Sequence, residues 1–287
     1  MAYSRKAAEE KRQAEVERLR QMLSEGIREY LTDANYLKYL KTVAKFYQYS
    51  ARNALLITMQ NPDATAVASY MDWKIKFHRH VKPGEHGIRI IAPIRRRREE
   101  EQDEEKSEGR VCGFRAATIF DVSQTEGEPL PDIVQELTGS VPDFDRLLEA
   151  ACGLTRFEIV AEKTPPDVLG TCLFHKRRIV ISPDLSEAMT IKTIIHEIAH
   201  ARLHGGTPLL PREIREMQAE SVAWIVCAHL GIDAGSYSYG YLISWGAVDK
   251  PEFFEKAMPA VVSTAADLIR GFDEGLKSAS LLERQSL

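Results

Sequence analysis

The run HEIAH at residues 196–200 limits the fold of this chain more than any other short stretch. Residues four apart on an α-helix lie on one face, one turn above the other, so a helix is the structure that brings the two imidazoles together. The isoleucines and alanines around the two histidines would bury one face of that helix. The pattern therefore predicts a helix from about Ser186 to His204, which Gly205-Gly206 ends.

His196 and His200 are predicted to hold one tetrahedral metal ion, with Zn²⁺ as the expected metal and other divalent ions as alternatives. Glu197 is a candidate general base and acid that takes a proton from a metal-bound water and returns it to a leaving amine. The expected chemistry is hydrolysis of a peptide bond, and the alternative is a helix with two incidental histidines. His204 lies about 12 Å beyond His196 along the helix, too far to share the ion, and is expected to interact with the helix dipole.

The third ligand is expected from the next helix, predicted from near Pro211 to before Gly231. Glu216 and Glu220 lie four residues apart there, and the spacing allows either carboxylate to be the ligand. The arrangement resembles that of the gluzincin zinc peptidases, which implies that Glu216 is the ligand and that Glu220 orients a ligand histidine. Tyr241 is a candidate donor to a tetrahedral oxyanion, with packing in a core as the alternative. The strand RRIVISP, which precedes the motif helix, is expected to be a sheet edge on which an extended peptide pairs.

The front of the chain is basic and the back is acidic. Residues 1–94 hold 16 Lys and Arg against 10 Asp and Glu, whereas residues 129–287 hold 15 against 22. This asymmetry predicts two domains with different partners, the basic one being the candidate for a polyanion. Within it, residues 73–89 interleave aromatic rings with cations, a combination that binds single-stranded DNA by stacking on bases and contacting phosphates.

Nine residues are candidates for DNA contacts: Arg52, Asn53, Trp73, Lys74, Lys76, Phe77, Arg79, Lys82 and Arg89. The alternative is an amphipathic element whose aromatic side chains are buried and whose cations are merely solvated. The sequence leaves both interpretations open.

The predicted fold class is α+β with two domains. An α+β domain would span residues 1–130, with helices over the first 30 residues, about 33–49 and 51–60, and strands at 88–94 and 111–122. Its loop at 95–110, four arginines followed mostly by acids, is expected to be solvated. A mainly helical domain with a small sheet would span 142–287, after a boundary rich in Pro and Gly.

The compartment follows from composition. The four cysteines are scattered, with no C-x-x-C pair, which favours reduced thiols. No apolar run reaches about 18 residues, and the charged N-terminal stretch lacks the apolar core of a secretion signal. A cytoplasmic protein without a membrane span is therefore expected.

Several motifs occur together in this chain: R-N-x-L-L at 52–56, Q-x-P-x-A-T-x-V at 60–67, V-K-x-G-E-x-G-I at 81–88, HEIAHARLHG at 196–205 and YLISW at 241–245. In this combination the chain resembles ArdC-type antirestriction proteins over most of its length from about residue 30. The resemblance implies a single-stranded DNA-binding domain followed by a zincin-like metallopeptidase domain. It also implies protection of incoming mobile-element DNA from restriction enzymes, with a peptidase activity that protection need not use.

Two other functions fit the same residues. One is a DNA-associated metalloprotease that cleaves a regulatory or crosslinked protein, so that a protein or peptide is its substrate. The other is a DNA-binding protein whose metal site is catalytically vestigial. The DNA-binding half is shared by all three interpretations, and they differ in the task of the metal site.

Overall fold

The structure is a computed structural model that describes residues 2–30, 33–96, 110–130, 144–165, 168–205, 210–232 and 251–285. The chain divides into two compact units that are not separated by a single cut. Unit 1 comprises residues 1–29 and 52–131, and unit 2 comprises residues 30–51 and 132–287. A segment near the N-terminus therefore belongs to the unit that holds the HEIAH motif.

Eight helices and eight strands are described. The helices are α1 (Ala2–Tyr30), α2 (Asp33–Lys45), α3 (Ala51–Gln60), α4 (Tyr70–Ile75), α5 (Phe144–Gly153), α6 (Glu187–His204), α7 (Arg212–His229) and α8 (Pro251–Gln285). The strands are β1 (Val67–Ser69), β2 (Arg79–Val81), β3 (Ile88–Arg96), β4 (Arg110–Asp121), β5 (Thr125–Gly127), β6 (Glu158–Ala161), β7 (Gly170–Leu173) and β8 (Arg178–Ile181). The predicted α+β fold with two domains is confirmed.

Unit 1 is built around a three-stranded sheet in the order β1-β4-β3, with both pairings antiparallel. A second pair, β2 and β5, is also antiparallel. The first helix has one buried apolar stripe at helical spacing: Val16, Leu19, Leu23 and Ile27 are each 5% exposed or less. The hairpin of β3 and β4 confirms the two strands expected from the sequence, while residues 97–109 of the predicted charged loop lie outside the described residues.

Two amide side chains of α3 cover the outer edge of β3. Asn53 accepts from the backbone N–H of Ile91 at 3.0 Å and donates to its carbonyl at 2.9 Å. Gln60 does the same with Arg89, at 2.9 and 2.8 Å. Since an exposed strand edge invites pairing with other chains, these amides satisfy groups that would otherwise be open. The two residues lie seven apart on α3 and therefore share a face.

Unit 2 combines a small mixed sheet with a helical core. The strand order is β6-β8-β7, with β6 parallel and β7 antiparallel to β8. The strand expected in RRIVISP is present as β8 and forms a hairpin with β7, but the expectation that it lies at a sheet edge is wrong. β8 is the central strand of this sheet. It pairs with β7 on one side and with the parallel strand β6 on the other, where Glu158 lies opposite Arg178. The edge next to α6 is β7.

Small residues let α6 and α7 approach closely. Ala199 on α6 and Ala219, Ala223 and Cys227 on α7 are all 0% exposed, as close packing of two helices requires. α2 packs in the same unit: Tyr36 and Tyr39 are at most 2% exposed, and the Tyr36 hydroxyl lies 2.8 Å from Ser221 Oγ on α7. Among the described residues, none of the helices combines the length and apolar character needed to cross a bilayer.

Candidate metal centre and nucleic-acid surface

Helix α6 presents the HEIAH residues from a buried, rigid element. Ser186 caps its N-terminus, its hydroxyl accepting from the Met189 N–H at 3.4 Å. Ile191, Ile194, Ile195 and Ile198 are fully buried and fix the face of the helix that meets the core. The histidines lie beside that face, so packing sets where their rings can point.

Three side chains converge at one point. His196 Nε2 and His200 Nε2 lie 3.0 Å apart, and Glu216 Oε2 lies 3.5 and 3.4 Å from them. Donors held at about 2.0–2.1 Å around a tetrahedral ion are separated by roughly 3.3 Å, so the observed triangle fits an ion of that size. Within the described part of the chain, this is where His, Cys, Asp and Glu side chains gather closely enough to share a metal ion. Two imidazoles and one carboxylate suit Zn²⁺ and other divalent transition metals.

The other nitrogen of His196 meets Glu220. His196 Nδ1 lies 3.1 Å from Glu220 Oε2, and Lys192 Nζ forms an ion pair with Glu220 Oε1 at 2.8 Å. Burial raises the pKa of Glu220, but His196 and Lys192 outweigh it and hold the pKa at about 2. Glu220 is thus a carboxylate on the side of the ring that faces away from the triangle. Glu213, the other carboxylate near the start of α7, lies exposed in its first turn.

His200 is held differently. Its Nδ1 lies 2.9 Å from His204 Nδ1, and His204 Nε2 lies 3.2 Å from Gln218 Oε1 on α7. Gln218 Nε2 in turn donates to the carbonyl of Ala257 on α8 at 3.5 Å. His204, which the sequence assigned only to the helix dipole, therefore contacts one of the two motif histidines.

Glu197 is buried beside the triangle, with 6% of its surface exposed. Burial raises its pKa above the ordinary value, although the neighbouring His196 and His200 act in the opposite direction. The backbone of Cys172 on β7 also acts to lower the pKa of Glu197. The Cys172 thiol is not available as an anion, because burial and then Glu197 raise its pKa to about 12.

The charges of the cluster support one another. Burial lowers the pKa of His196, yet hydrogen bonds to Glu216 and Glu220 outweigh that effect and raise the pKa to about 9. Burial likewise raises the pKa of Glu216, but His196 and His200 hold it far below its usual range. Two carboxylates facing two imidazoles therefore give a site whose carboxylates stay ionised at neutral pH.

Several candidate DNA contacts have internal partners. Trp73 is 1% exposed and donates from its ring N–H to the Phe120 carbonyl at 2.8 Å. Arg79 donates to Thr125 Oγ1 at 2.8 Å and to the backbone carbonyls of residues 125, 127 and 128. Arg89 pairs with Glu15 at 3.1 Å. With Asn53 on the edge of β3, these four side chains have structural tasks within unit 1.

The remaining candidates are more accessible. Arg52, Lys74, Lys76 and Phe77 are exposed. Lys76 pairs with Asp72 at 2.6 Å, and Lys82 donates to the Ser123 carbonyl at 2.8 Å. Tyr241, the candidate oxyanion donor, lies outside the described residues.

The short helix α4 exposes an apolar face that sequence reasoning did not single out. Tyr70, Met71 and Ile75 are 49%, 56% and 62% exposed, and Lys74 lies between them. At about 100° per residue these four side chains share one side of the helix, while Trp73 anchors the other side. We call Tyr70, Met71, Lys74, Ile75 and the adjoining Phe77 the α4 surface. Apolar residues in a sequence ordinarily predict burial. The exposure of this face follows from the tertiary position of Trp73, which turns the opposite side of α4 toward the core.

Both units match known families. Residues 9–120 match the N-terminal domain of anti-restriction factor ArdC, and residues 158–229 match the IrrE N-terminal-like domain of the peptidase M78 family. The uncharacterized protein pXO2-81 of Bacillus anthracis is 26% identical over 330 residues, covering 99% of this chain and 55% of that protein. The chain thus spans about half the length of this curated relative.

Two solved structures are similar. The metal-free crystal structure of the antirestriction ArdC protein from the R388 plasmid has a TM-score of 0.50 at 20% identity, covering 79% of this chain and 86% of that one. The Mn(II)-bound structure of the same protein has a TM-score of 0.48 at 19% identity, covering 78% and 85%. The similarity to the metal-free structure shows that this chain shares its fold.

The two domain matches occur in one chain, in the order expected from the sequence motifs. The first covers the α+β unit with the α4 surface, and the second covers the strands and helices that carry the His196, His200 and Glu216 triangle. The chain therefore carries an ArdC N-terminal domain over residues 9–120, followed by an IrrE N-terminal-like domain of the peptidase M78 family over residues 158–229.

Proposed function

We propose that this protein binds single-stranded DNA through unit 1 and carries a metallopeptidase site in unit 2, and that it protects incoming mobile-element DNA from restriction. The observation that carries the proposal is the triangle of His196 Nε2, His200 Nε2 and Glu216 Oε2 with buried Glu197 beside it. In this proposal His196, His200 and Glu216 hold the metal, with Zn²⁺ as the first candidate. When bound, such a metal supplies a Lewis acid and makes water a nucleophile near neutral pH.

Glu197 moves the proton in the proposed reaction. A carboxylate oxygen of Glu197 accepts a proton from water and later delivers it to the leaving amine. Burial raises its pKa toward the working pH, which favours a group that must both accept and release a proton. Strand β7 packs against the Glu197 side chain at Gly170, where an added Cβ would lie 3.3 Å from Glu197 Cγ.

The edge of β7 is the proposed position of the peptide. An extended peptide can add to a strand edge through main-chain hydrogen bonds, and β7 is the edge strand that packs against Glu197. This replaces β8, which is paired on both sides. The scissile bond would then lie near the proton donor.

Replacement of Glu197 tests the peptidase. Glu197→Gln is expected to retain one equivalent of Zn²⁺ and to lose cleavage of casein and of histone, each assayed with and without single-stranded DNA, by at least about 10²-fold. His196→Ala is the matched control that should lose both metal and cleavage. Equal cleavage by the wild type and Glu197→Gln would remove the catalytic assignment. Zn²⁺ binding without any cleavage would favour the vestigial site.

The α4 surface is the proposed DNA contact. Tyr70 and Phe77 offer exposed rings on which bases stack, and Lys74 offers a cation for the phosphates. Contiguous exposed apolar patches are a feature of interaction sites, and the exposed side chains of α4 are adjacent on one side of the helix. Arg52 and Lys76 are further phosphate contacts in the proposal, since their side chains are exposed.

Binding of a labelled single strand tests this surface. Tyr70→Ala is expected to weaken binding by about 1–3 kcal/mol, the value of one stacked base. Lys74→Ala should lower the slope of log Kd against log salt by about 0.7, as expected for one phosphate contact. Lys176→Ala, an exposed cation in unit 2, is the control and should leave both unchanged. Wild-type affinity and slope in both α4 variants would place the DNA elsewhere.

Protection itself is tested by DNA entry into a restricting host. Cells that express the protein should accept unmodified plasmid more often than cells without it, and the Tyr70→Ala, Lys74→Ala double variant should lose that advantage. Glu197→Gln decides whether protection uses the peptidase. An unchanged efficiency of entry with the wild type would overturn the antirestriction role while leaving DNA binding and metal binding to their own assays.

A further inference from the structure

We propose that His204 and Gln218 position His200 for metal binding by fixing which of its ring nitrogens carries the proton. The inference rests on the proposed metal site and concerns two residues that are outside the triangle. His204 is a half-buried residue on α6, and Gln218 is 4% exposed on α7. Together with the carbonyl of Ala257 on α8 they form one continuous chain of hydrogen bonds to His200.

The donor and acceptor roles along this series of hydrogen bonds are set at the end that lies farthest from His200. The Ala257 carbonyl can only accept, so the atom of Gln218 that faces it at 3.5 Å is the amide nitrogen. Gln218 Oε1 therefore faces His204 Nε2 at 3.2 Å, and an oxygen there requires that His204 Nε2 carries the proton. A neutral imidazole has one N–H and one acceptor, so His204 Nδ1 is an acceptor.

The same rule then applies to His200. His204 Nδ1 accepts at 2.9 Å, so His200 Nδ1 is the donor and His200 Nε2 presents its lone pair. His200 Nε2 is the nitrogen that faces His196 Nε2 and Glu216 Oε2. The opposite direction would put the proton of His200 on the nitrogen that must bind the metal, and it would leave two acceptors facing each other at Gln218.

The two histidines of the triangle are thus held by different chemistry. His196 Nδ1 meets the carboxylate of Glu220, which Lys192 holds, whereas His200 Nδ1 meets a neutral imidazole and an amide. A neutral partner fixes the tautomer and ring direction without adding a negative charge to a site that already holds Glu216, Glu220 and Glu197. Partners of this kind change metal affinity by about 10–100-fold when they are removed.

Metal affinity and the tautomer of His200 are the two measurements. In the full-length protein, His204→Leu and Gln218→Met should raise the Kd for Zn²⁺, measured by competition with a chromogenic chelator, by about 10–100-fold. His204→Asn, whose side-chain oxygen can replace the Nδ1 acceptor, should recover most of the affinity. His229→Leu is the matched control: it removes a half-buried histidine with a carboxylate partner in the same unit and should bind Zn²⁺ like the wild type.

The tautomer is read from ¹⁵N–¹H spectra of the metal-free protein labelled at histidine. Wild-type His200 should carry its proton on Nδ1, and His204→Leu should shift the proton toward a mixture of Nδ1 and Nε2. The melting temperature of each metal-free variant shows that it is folded. Unchanged Zn²⁺ affinity in His204→Leu, or a wild-type His200 protonated on Nε2, would overturn the positioning role alone. A wild type that binds no Zn²⁺ would overturn the metal site and this role together.

Discussion

Two glutamates one helical turn apart have separate tasks in the cluster, and the spacing of Glu216 and Glu220 could not distinguish them. Glu216 faces the Nε2 atoms of both histidines, whereas Glu220 meets His196 Nδ1. Glu216→Gln is therefore expected to abolish measurable Zn²⁺ binding, and Glu220→Gln to weaken it by about 10–100-fold. Isothermal titration of both variants with Zn²⁺ makes the comparison. The reverse order of affinities would make Glu220 the ligand.

Asp121 is the buried carboxylate that joins the end of β4 to the segment before β1. It accepts from the backbone N–H groups of Thr65 at 2.8 Å, Ala66 at 3.1 Å and Ser123 at 3.0 Å. Burial raises its pKa, but the Ser123 hydroxyl, which donates to it at 2.6 Å, and these N–H groups outweigh burial and hold the pKa below its ordinary value of 3.8. The ionised carboxylate is thus part of the folded state of unit 1.

Asp121→Asn should lower the free energy of unfolding by about 1.5–3 kcal/mol at pH 7, since an amide cannot accept all of these bonds. A depressed pKa gives stability that is present above the unfolded value and is lost as pH falls through the folded value. The difference between wild type and variant should therefore be constant from about pH 7 to 5 and shrink below about pH 4. Urea unfolding at several pH values measures it, with exposed Asp63→Asn as control. A difference that stays the same at every pH would contradict this explanation.

The contact between β7 and α6 sets the position of Glu197. A Cβ on Gly170 would lie 2.6 Å from Thr193 Cγ2, 3.1 Å from Ile181 Cδ1 and 3.3 Å from Glu197 Cγ. Gly170→Ala should therefore cost about 1–3 kcal/mol of stability and reduce cleavage by moving Glu197. Thr193→Ser removes the methyl group that clashes most. The variant that combines Gly170→Ala with Thr193→Ser should therefore regain both stability and cleavage. Thermal unfolding and the casein assay test this, and a double variant no better than Gly170→Ala would contradict it.

At the scale of elements, local pattern predicted most of what the structure contains. The motif helix, the helix that carries Glu216 and the β7–β8 hairpin follow from helical spacing, Gly and Pro positions and alternation. β8 was placed at an edge because a sequence does not tell which distant strand will pair with it. The contact between His204 and Gln218 could not be predicted from the sequence for a similar reason. It depends on the distance between α6 and α7, which the small residues between the two helices set.

At the scale of the molecule, α2 is the element whose membership could not be read from its place in the chain. It lies between α1 and α3 of the ArdC-type domain, yet its buried residues belong to unit 2. Tyr39 packs its ring 5.3 Å from that of Phe254 on α8, and Leu40 and Val43 are 0% exposed. A cut near residue 130, which the sequence favoured, would separate this helix from its partners.

Fragments of unit 2 test the role of α2. Tyr36, Tyr39, Leu40 and Val43 each contribute about 1.5–3 kcal/mol of burial, and their sum is comparable with the 5–15 kcal/mol that stabilises a whole domain. Residues 132–287 alone are therefore expected to lack a cooperative thermal transition.

Residues 30–51 joined to 132–287 through a flexible Gly/Ser linker should unfold cooperatively and bind Zn²⁺. Leu40→Asp in the joined chain is the matched control, which should behave like residues 132–287, because a carboxylate at that buried position has no partner to meet. Cooperative unfolding of residues 132–287 without α2 would show that the helix only covers a core that is stable without it. In that case the two units could be separated at the boundary between residues 130 and 142.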